Sequence, residues 1–254
     1  MAVSESLSVG LLRGPGAYQA RTPWPPLRAF LATFLIVGAS IVGVVLMLGS
    51  GTVARMPEAG QLPQGTTQLA TLGIWQVTTI ALTLAASAMF GGRIRDVLAL
   101  GRPVGAPLVY LRAIALMAAL QIGVSIVQYS FFPQDMYADL RPFVRLFGEQ
   151  WVLALLVVGV GAPLSEELLF RGFLLSALAR SRIGFWPGAL ITTGLWTALH
   201  AGYSTVGIAE VFLIGLFFSW LLWRTGSLRD AIFCHALYNS LILLVLWYVP
   251  LPAA

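Results

Sequence analysis

The chain of 254 residues has no lysine, one cysteine, two histidines and only 10% charged residues. Each shortage excludes something. With Cys234 alone there is no internal disulfide and no cysteine-based zinc cluster. Soluble domains carry about 25% charged residues. At 10% charged, 58% hydrophobic and a mean hydropathy of +0.86, this sequence reads as a polytopic membrane protein. Only helices or closed barrels span a bilayer, and long apolar runs without period-2 alternation select helices. The expected fold is therefore all-α, a polytopic transmembrane bundle of about 7–8 helices. A net charge of +5 and a pI near 9.9 would suggest nucleic acid in a soluble chain. Here the basic residues, all arginine, sit mostly between apolar runs. They read as orientation signal and lipid-headgroup contact, so membrane lipids are expected partners and nucleic acid is not.

Residues 1–26 are polar, rich in glycine and proline, and lack the apolar core of a cleaved signal peptide. They read as a mobile cytoplasmic tail, followed by a single transmembrane domain over 27–250. The apolar runs predict spans at about 29–48, 69–90, 108–131, 150–180, 186–200, 206–223 and 228–249. The fourth is one long helix, or two joined at Pro163. Arg112 reads as a snorkelling side chain near a membrane end. Arg13, Arg21, Arg28, Arg93, Arg95, Arg102, Arg180, Arg182, Arg224 and Arg229 fall on one side, and Arg55, Arg141 and Arg145 on the other. That excess predicts a cytoplasmic N-terminus and an external C-terminus. The expected location is a bacterial-type plasma membrane.

Against this apolar ground, Pro163-Leu-Ser-Glu-Glu-Leu-Leu-Phe-Arg171 stands out. Ionisable groups inside a span cost at least ~2.5–3.5 kcal/mol each and are functional suspects by default. Glu167 and Arg171, four apart with the acid first, are spaced to pair on one helix face. Glu166 points about 100° away and is left for chemistry. The two histidines occur in Trp196-Thr-Ala-Leu-His200 and His235-Ala-Leu-Tyr-Asn239, in the same C-terminal half. His235 and Asn239 share a helix face. Counted from the turn near 181–185, Glu166 and His200 are each 14 residues deep, ~21 Å, and so level with each other. His235 counts only ~10 Å deep from Leu228, which requires the 224–228 turn to dip inward, strong tilt, or a polar cavity reaching down. A carboxylate and a histidine can activate water, and a second histidine with a primary amide can bind an oxyanion. Ser165 reads as a helix-start cap, Cys234 as a small buried residue, Glu210 as interfacial, and Gly159 and Gly161 as close-packing positions.

Glu-Glu-x-x-x-Arg (Glu166, Glu167, Arg171), aromatic-x-x-x-His (Trp196, His200) and His-x-x-x-Asn (His235, Asn239) resemble the three motifs of the CAAX protease and bacteriocin-processing family. That family includes the type II CAAX prenyl endopeptidases. The resemblance covers about residues 148–245, including Gly226-Ser227-Leu228 before the third motif. Trp196 departs from the phenylalanine common in the family, which bears on pocket shape. The resemblance implies a glutamate-dependent intramembrane endopeptidase acting on membrane-associated protein or peptide substrates. Glu166 and His200 would activate the water, and His235 and Asn239 would form the oxyanion site. Glu167 and Arg171 would support them. It implies no cofactor. The alternative is zinc on Glu166, His200 and His235, since two histidines and a glutamate can fill a catalytic site. Competing functions are a non-catalytic immunity or scaffold protein of the same fold and, behind it, a proton-coupled transporter.

Overall fold

The computed structural model describes residues 16–49, 64–105, 107–147 and 150–251. Arg13 and Arg55, used in the orientation reading, lie outside them. Among the described residues the chain is helical, without strands. The helices are α1 (Pro26–Gly49), α2 (Gln64–Met89), the short α3 (Ile94–Val97), α4 (Leu108–Phe131) and the short α5 (Arg141–Phe147). They continue with α6 (Trp151–Arg180), α7 (Phe185–Ala198), α8 (Thr205–Thr225) and α9 (Leu228–Tyr248). Six of them, α1, α2, α4, α6, α8 and α9, are long and apolar enough to cross a membrane. The molecule is an integral membrane protein, a polytopic helical bundle as its composition requires.

Burial runs opposite to that of a soluble protein. Leu27, Leu31, Phe34 and Leu35 on α1 are exposed, while Ser40, Thr79, Thr83 and Ser87 are buried. Lipid accepts the apolar side chains, so the polar ones turn inward and bond to each other or to their own helix. Ser40 and Thr79 share a hydrogen bond of 3.0 Å between α1 and α2. Around α6 the packing is densest, with Phe173, Leu174, Leu175 and Leu178 all inaccessible.

α6 is one continuous helix, not two joined at Pro163. Two stretches, Leu155–Gly161 and Glu167–Leu174, adopt the wider π-helical turn on either side of Ala162–Glu166. In that wider register the partner of residue 163 would be the Val158 carbonyl, and proline has no N–H to give it. The Asn239 side-chain amide donates to Val158 O instead, at 3.0 Å. Ser165 therefore caps nothing; its hydroxyl donates to Ala162 O at 2.9 Å within the helix. The expected fifth span, 186–200, is present as α7 but is not among the six helices long enough to cross a membrane. α7 has 14 residues, ~21 Å at 1.5 Å each, against ~30 Å of hydrocarbon.

The two ends of the bundle are tied separately. At one end Val104 N donates to Thr225 O (3.1 Å), Leu228 N to Ala99 O (2.8 Å) and Ser227 Oγ to Gly101 O (2.6 Å). Thr225, Ser227 and Leu228 are buried there, so the turn entering α9 starts inside the protein. Gly226, at φ +68°, supplies the left-handed step that ends α8. At the other end Asp139 accepts from Ser204 N (2.7 Å) and Ser204 Oγ (2.8 Å), while Ser204 Oγ caps α8 through Gly207 N.

The reading of 1–26 as a mobile tail does not hold for the part described. Ala17 N and Tyr18 N both donate to Trp223 O, and Arg180 donates to Thr22 O. Trp24 is buried against Phe90 and Phe173. Aromatic side chains in a proline-rich extended segment have given it a packed face.

Candidate active site

The site is built on α6, α7, α8 and α9. The π-helical turn that begins at Glu167 sends Glu167 and Arg171 into the protein, both with no exposed side-chain surface. Arg171 donates to Glu167 Oε1 at 3.1 Å and to Gly215 O of α8 at 3.2 Å. Its guanidinium lies 4.4 Å over the Trp196 ring. Gly215 makes this possible, because an added Cβ would lie 2.7–2.8 Å from Thr193, Arg171 and Trp196.

Glu167 Oε1 also meets His235 Nδ1 at 3.0 Å. A carboxylate only accepts, so this contact places the imidazole hydrogen on Nδ1 and turns Nε2 the other way. Nε2 lies 4.0 Å from Glu166 Oε2. The His235 ring is held by stacking on Phe218, centroids 4.6 Å apart, and by the edge of Trp196 at 5.7 Å.

Glu166 itself is partly open, with 23% of its side chain exposed. The Trp196 indole N–H donates to its Oε2 at 2.6 Å. His200, one turn further along α7, packs edge-on against Trp196 at 5.0 Å and has Nδ1 3.1 Å from Trp196 O. Trp196 therefore stands between His200 and Glu166. Asn239 lies one turn beyond His235 on α9, bonded to Val158 as described. All six sequence-selected groups thus belong to one contiguous region, with Glu166, Glu167, Arg171 and His235 in direct succession.

The depth discrepancy for His235 resolves structurally. The α9 entry turn is buried under residues 99–104, which lifts its first residues into the bundle. His235 Nε2 reaches within 4.0 Å of Glu166 Oε2, and the buried entry turn is what the inward-dip option requires.

Two side chains carry more than their sequence signal indicated. Trp196 contributes a polar donor as well as an apolar ring. Glu210, read from the sequence as interfacial, is half-buried and accepts from Gln121 Nε2 (2.9 Å), Gln128 Nε2 (2.7 Å) and Tyr238 Oη (3.1 Å). Gln121 and Gln128, seven apart on α4, were the available signal. Tyr203, between α7 and α8, packs 5.3 Å from the His200 ring. Burial first, then the negative fields of Glu166, Asp139 and Glu210, pushes its hydroxyl pKa well up. Cys234 is buried, with Sγ 3.9 Å from Ala113 O.

The donor set does not suit the zinc alternative. Among the described residues no group of three or more His, Cys, Asp or Glu side chains is placed to hold a metal ion. Catalytic zinc needs ligands converging at ~2.0–2.2 Å. Here His235 Nδ1 is engaged by Glu167, Glu166 Oε2 by an indole, and His200 packs across that indole.

Comparison with known proteins bears on the same segment. An uncharacterized 24.3 kDa protein of Escherichia coli is 39% identical over 112 residues, covering 41% of this chain and 51% of its own. The UPF0177 protein YxdF of Lactococcus lactis is 24% identical over 83 residues, 33% of this chain and 44% of its own. The chain thus spans about half the length of the curated relatives it matches. No solved structure matches it. Residues 148–241 match the family model described as type II CAAX prenyl endopeptidase Rce1-like. The likeness to the CAAX protease and bacteriocin-processing family, drawn from the three motifs, is thereby shown in the stretch that holds Glu166, Glu167, Arg171, Trp196, His200, His235 and Asn239.

Proposed function

We propose that the protein is an intramembrane endopeptidase that hydrolyses membrane-associated protein or peptide substrates with a water activated by Glu166. One observation carries this reading. A partly open carboxylate, fixed by an indole N–H at 2.6 Å, sits 4.0 Å from the imidazole nitrogen that a second, buried carboxylate has oriented. That is the arrangement of a general base with an oriented partner.

Glu166 takes the proton as the water adds to the scissile carbonyl, and His200 packs behind the indole whose N–H holds Glu166. The second N–H of Asn239 donates to the charge that develops on the carbonyl oxygen, and His235 Nε2 does so when the ring carries a hydrogen on both nitrogens. Proton return to the leaving amine comes from Glu166. Glu167 and Arg171 act through His235, fixing its ring and tautomer. No step is routed through a metal. The N-terminal segment, residues 99–104 and the 225–228 turn lie at one end of the bundle; the arginine excess there is what favours a cytoplasmic N-terminus, in a bacterial-type plasma membrane.

The test is Glu166→Gln in the purified, membrane-reconstituted protein and in cells. General-base loss lowers the rate by about 10²–10⁴-fold, read as membrane proteins that accumulate uncut in comparative proteomics, with thermal unfolding unchanged. Retained cleavage by a folded Glu166→Gln protein would remove the assignment. So would an activity abolished by chelators and restored by Zn²⁺, which would require a metal-bearing arrangement.

A further inference from the structure

Glu210 lies outside the catalytic groups but beside them. Tyr238, which donates to it, is the residue one turn beyond His235 on α9. Tyr203, which packs on His200, feels the fields of Glu166 and Glu210 together. Glu210 therefore adjoins the site on the side of His235 and His200, where α4, α8 and α9 meet.

The Glu210 network is complete in geometry and incomplete in charge. Both carboxylate oxygens accept from neutral donors, two amides and a phenol. None of the ion pairs among the described residues involves Glu210. On the same wall, Gln121 Oε1 is a buried acceptor with no hydrogen-bond partner. Two carboxylate oxygens offer about four lone-pair sites and receive three donors, so together with Gln121 Oε1 the cluster is short of N–H groups. What would balance it in both charge and hydrogen bonds is a donor-only cation. An acid within a bundle is costly without such a partner.

We propose that Glu210, with Gln121 Oε1, forms a subsite for the guanidinium or ammonium side chain of a basic residue in the substrate peptide. This rests on the peptidase reading, of which it specifies the substrate class. Glu210 is a specificity residue in this account, and the hydrolysis itself does not need it.

The test uses binding as well as cleavage. Acylated fluorescent hexapeptides, identical except for one Arg, Gln or Glu scanned through the sequence, are titrated in a neutral detergent so that no lipid amine competes. The full chain carries Glu166→Gln to stop turnover. Expected is tighter binding of one Arg register over its Gln counterpart by about tenfold, as for a partly desolvated charge pair. That margin collapses on adding Glu210→Gln, while affinity for the Gln peptide stays within twofold. In the chain with native Glu210, salt must erode the Arg margin and leave the Gln peptide unaffected, which keeps the proposal testable if Glu210→Gln fails to fold. Equal binding of Arg and Gln peptides, binding of none, or an equal loss on every peptide in Glu210→Gln would overturn the subsite and leave Glu210 as a helix-joining group. A retained Arg preference with no hydrolysis by the protein bearing Glu166 would support the subsite and remove the peptidase reading alone.

Discussion

Arg171 shows how tightly single residues are bound to each other here. Its guanidinium has no exposed surface, and it answers at once to Glu167, Gly215 O and the Trp196 face. Removing one partner of such a pair leaves an uncompensated buried charge and costs about 3–5 kcal/mol. Arg171→Met should lower thermal stability in detergent accordingly, and adding Glu167→Gln should recover part of the loss. Full stability in the single variant would show the pair to be dispensable. The pairing itself was readable from the sequence, because four-residue spacing with the acid first leaves little choice on a helix. The hydrogen bond from Trp196 to Glu166 was not. A motif position occupied by aromatic rings advertises shape, and only the rotamer in place reveals which ring edge faces the carboxylate. The partners of Glu210 were hidden for a related reason. Nearness to a helix end suggested an interface, but its partners come from α4 and α9, more than 80 residues and about 30 residues away in the chain.

At the scale of elements, composition gave the apolar helices and their order, because lipid leaves the backbone few options. It could not give the π-helical turns of α6, whose stability comes from what packs around them. The compensation between Pro163 and Asn239 follows from those turns. If the amide replaces the N–H that proline lacks, the two positions are coupled. Asn239→Ala should destabilise by about 1–2 kcal/mol by orphaning the Val158 carbonyl. In a Pro163→Ala background the same change should cost clearly less, since the backbone then supplies the donor. A double-mutant cycle on unfolding in detergent measures this, and strict additivity would refute the coupling. The shallow count for His235 had the same origin. Linear counting assumes each helix starts at the membrane surface, whereas α9 starts beneath residues 99–104.

For the whole molecule, the arginine distribution and the tied ends make a joint statement about sidedness. In a Cys234→Ala background, a cysteine replacing the exposed Arg95 should react with an impermeant maleimide only after cells are opened. One replacing Asp135 should react in intact cells. The opposite pattern would invert the orientation. The N-terminal tail could not be read correctly from polarity alone, since Tyr18 and Trp24 find their packing partners only when α2, α6 and α7 are assembled.

The short α7 has a consequence for the surrounding lipid. If α7 starts at one face of a ~30 Å hydrocarbon layer, its ~21 Å stop ~9 Å short of the other face. His200, Tyr203 and the Ser204 cap thus lie at the bottom of a dimple. Acyl tails must bend or thin to skirt it. Vesicles of short-chain phospholipid should leave that dimple shallow and hydrated, and long-chain vesicles should bury its mouth. On the peptidase reading, turnover ought then to fall steadily as chain length grows, so that activity reads membrane thickness; a rate indifferent to chain length would mean that the dimple does not govern access.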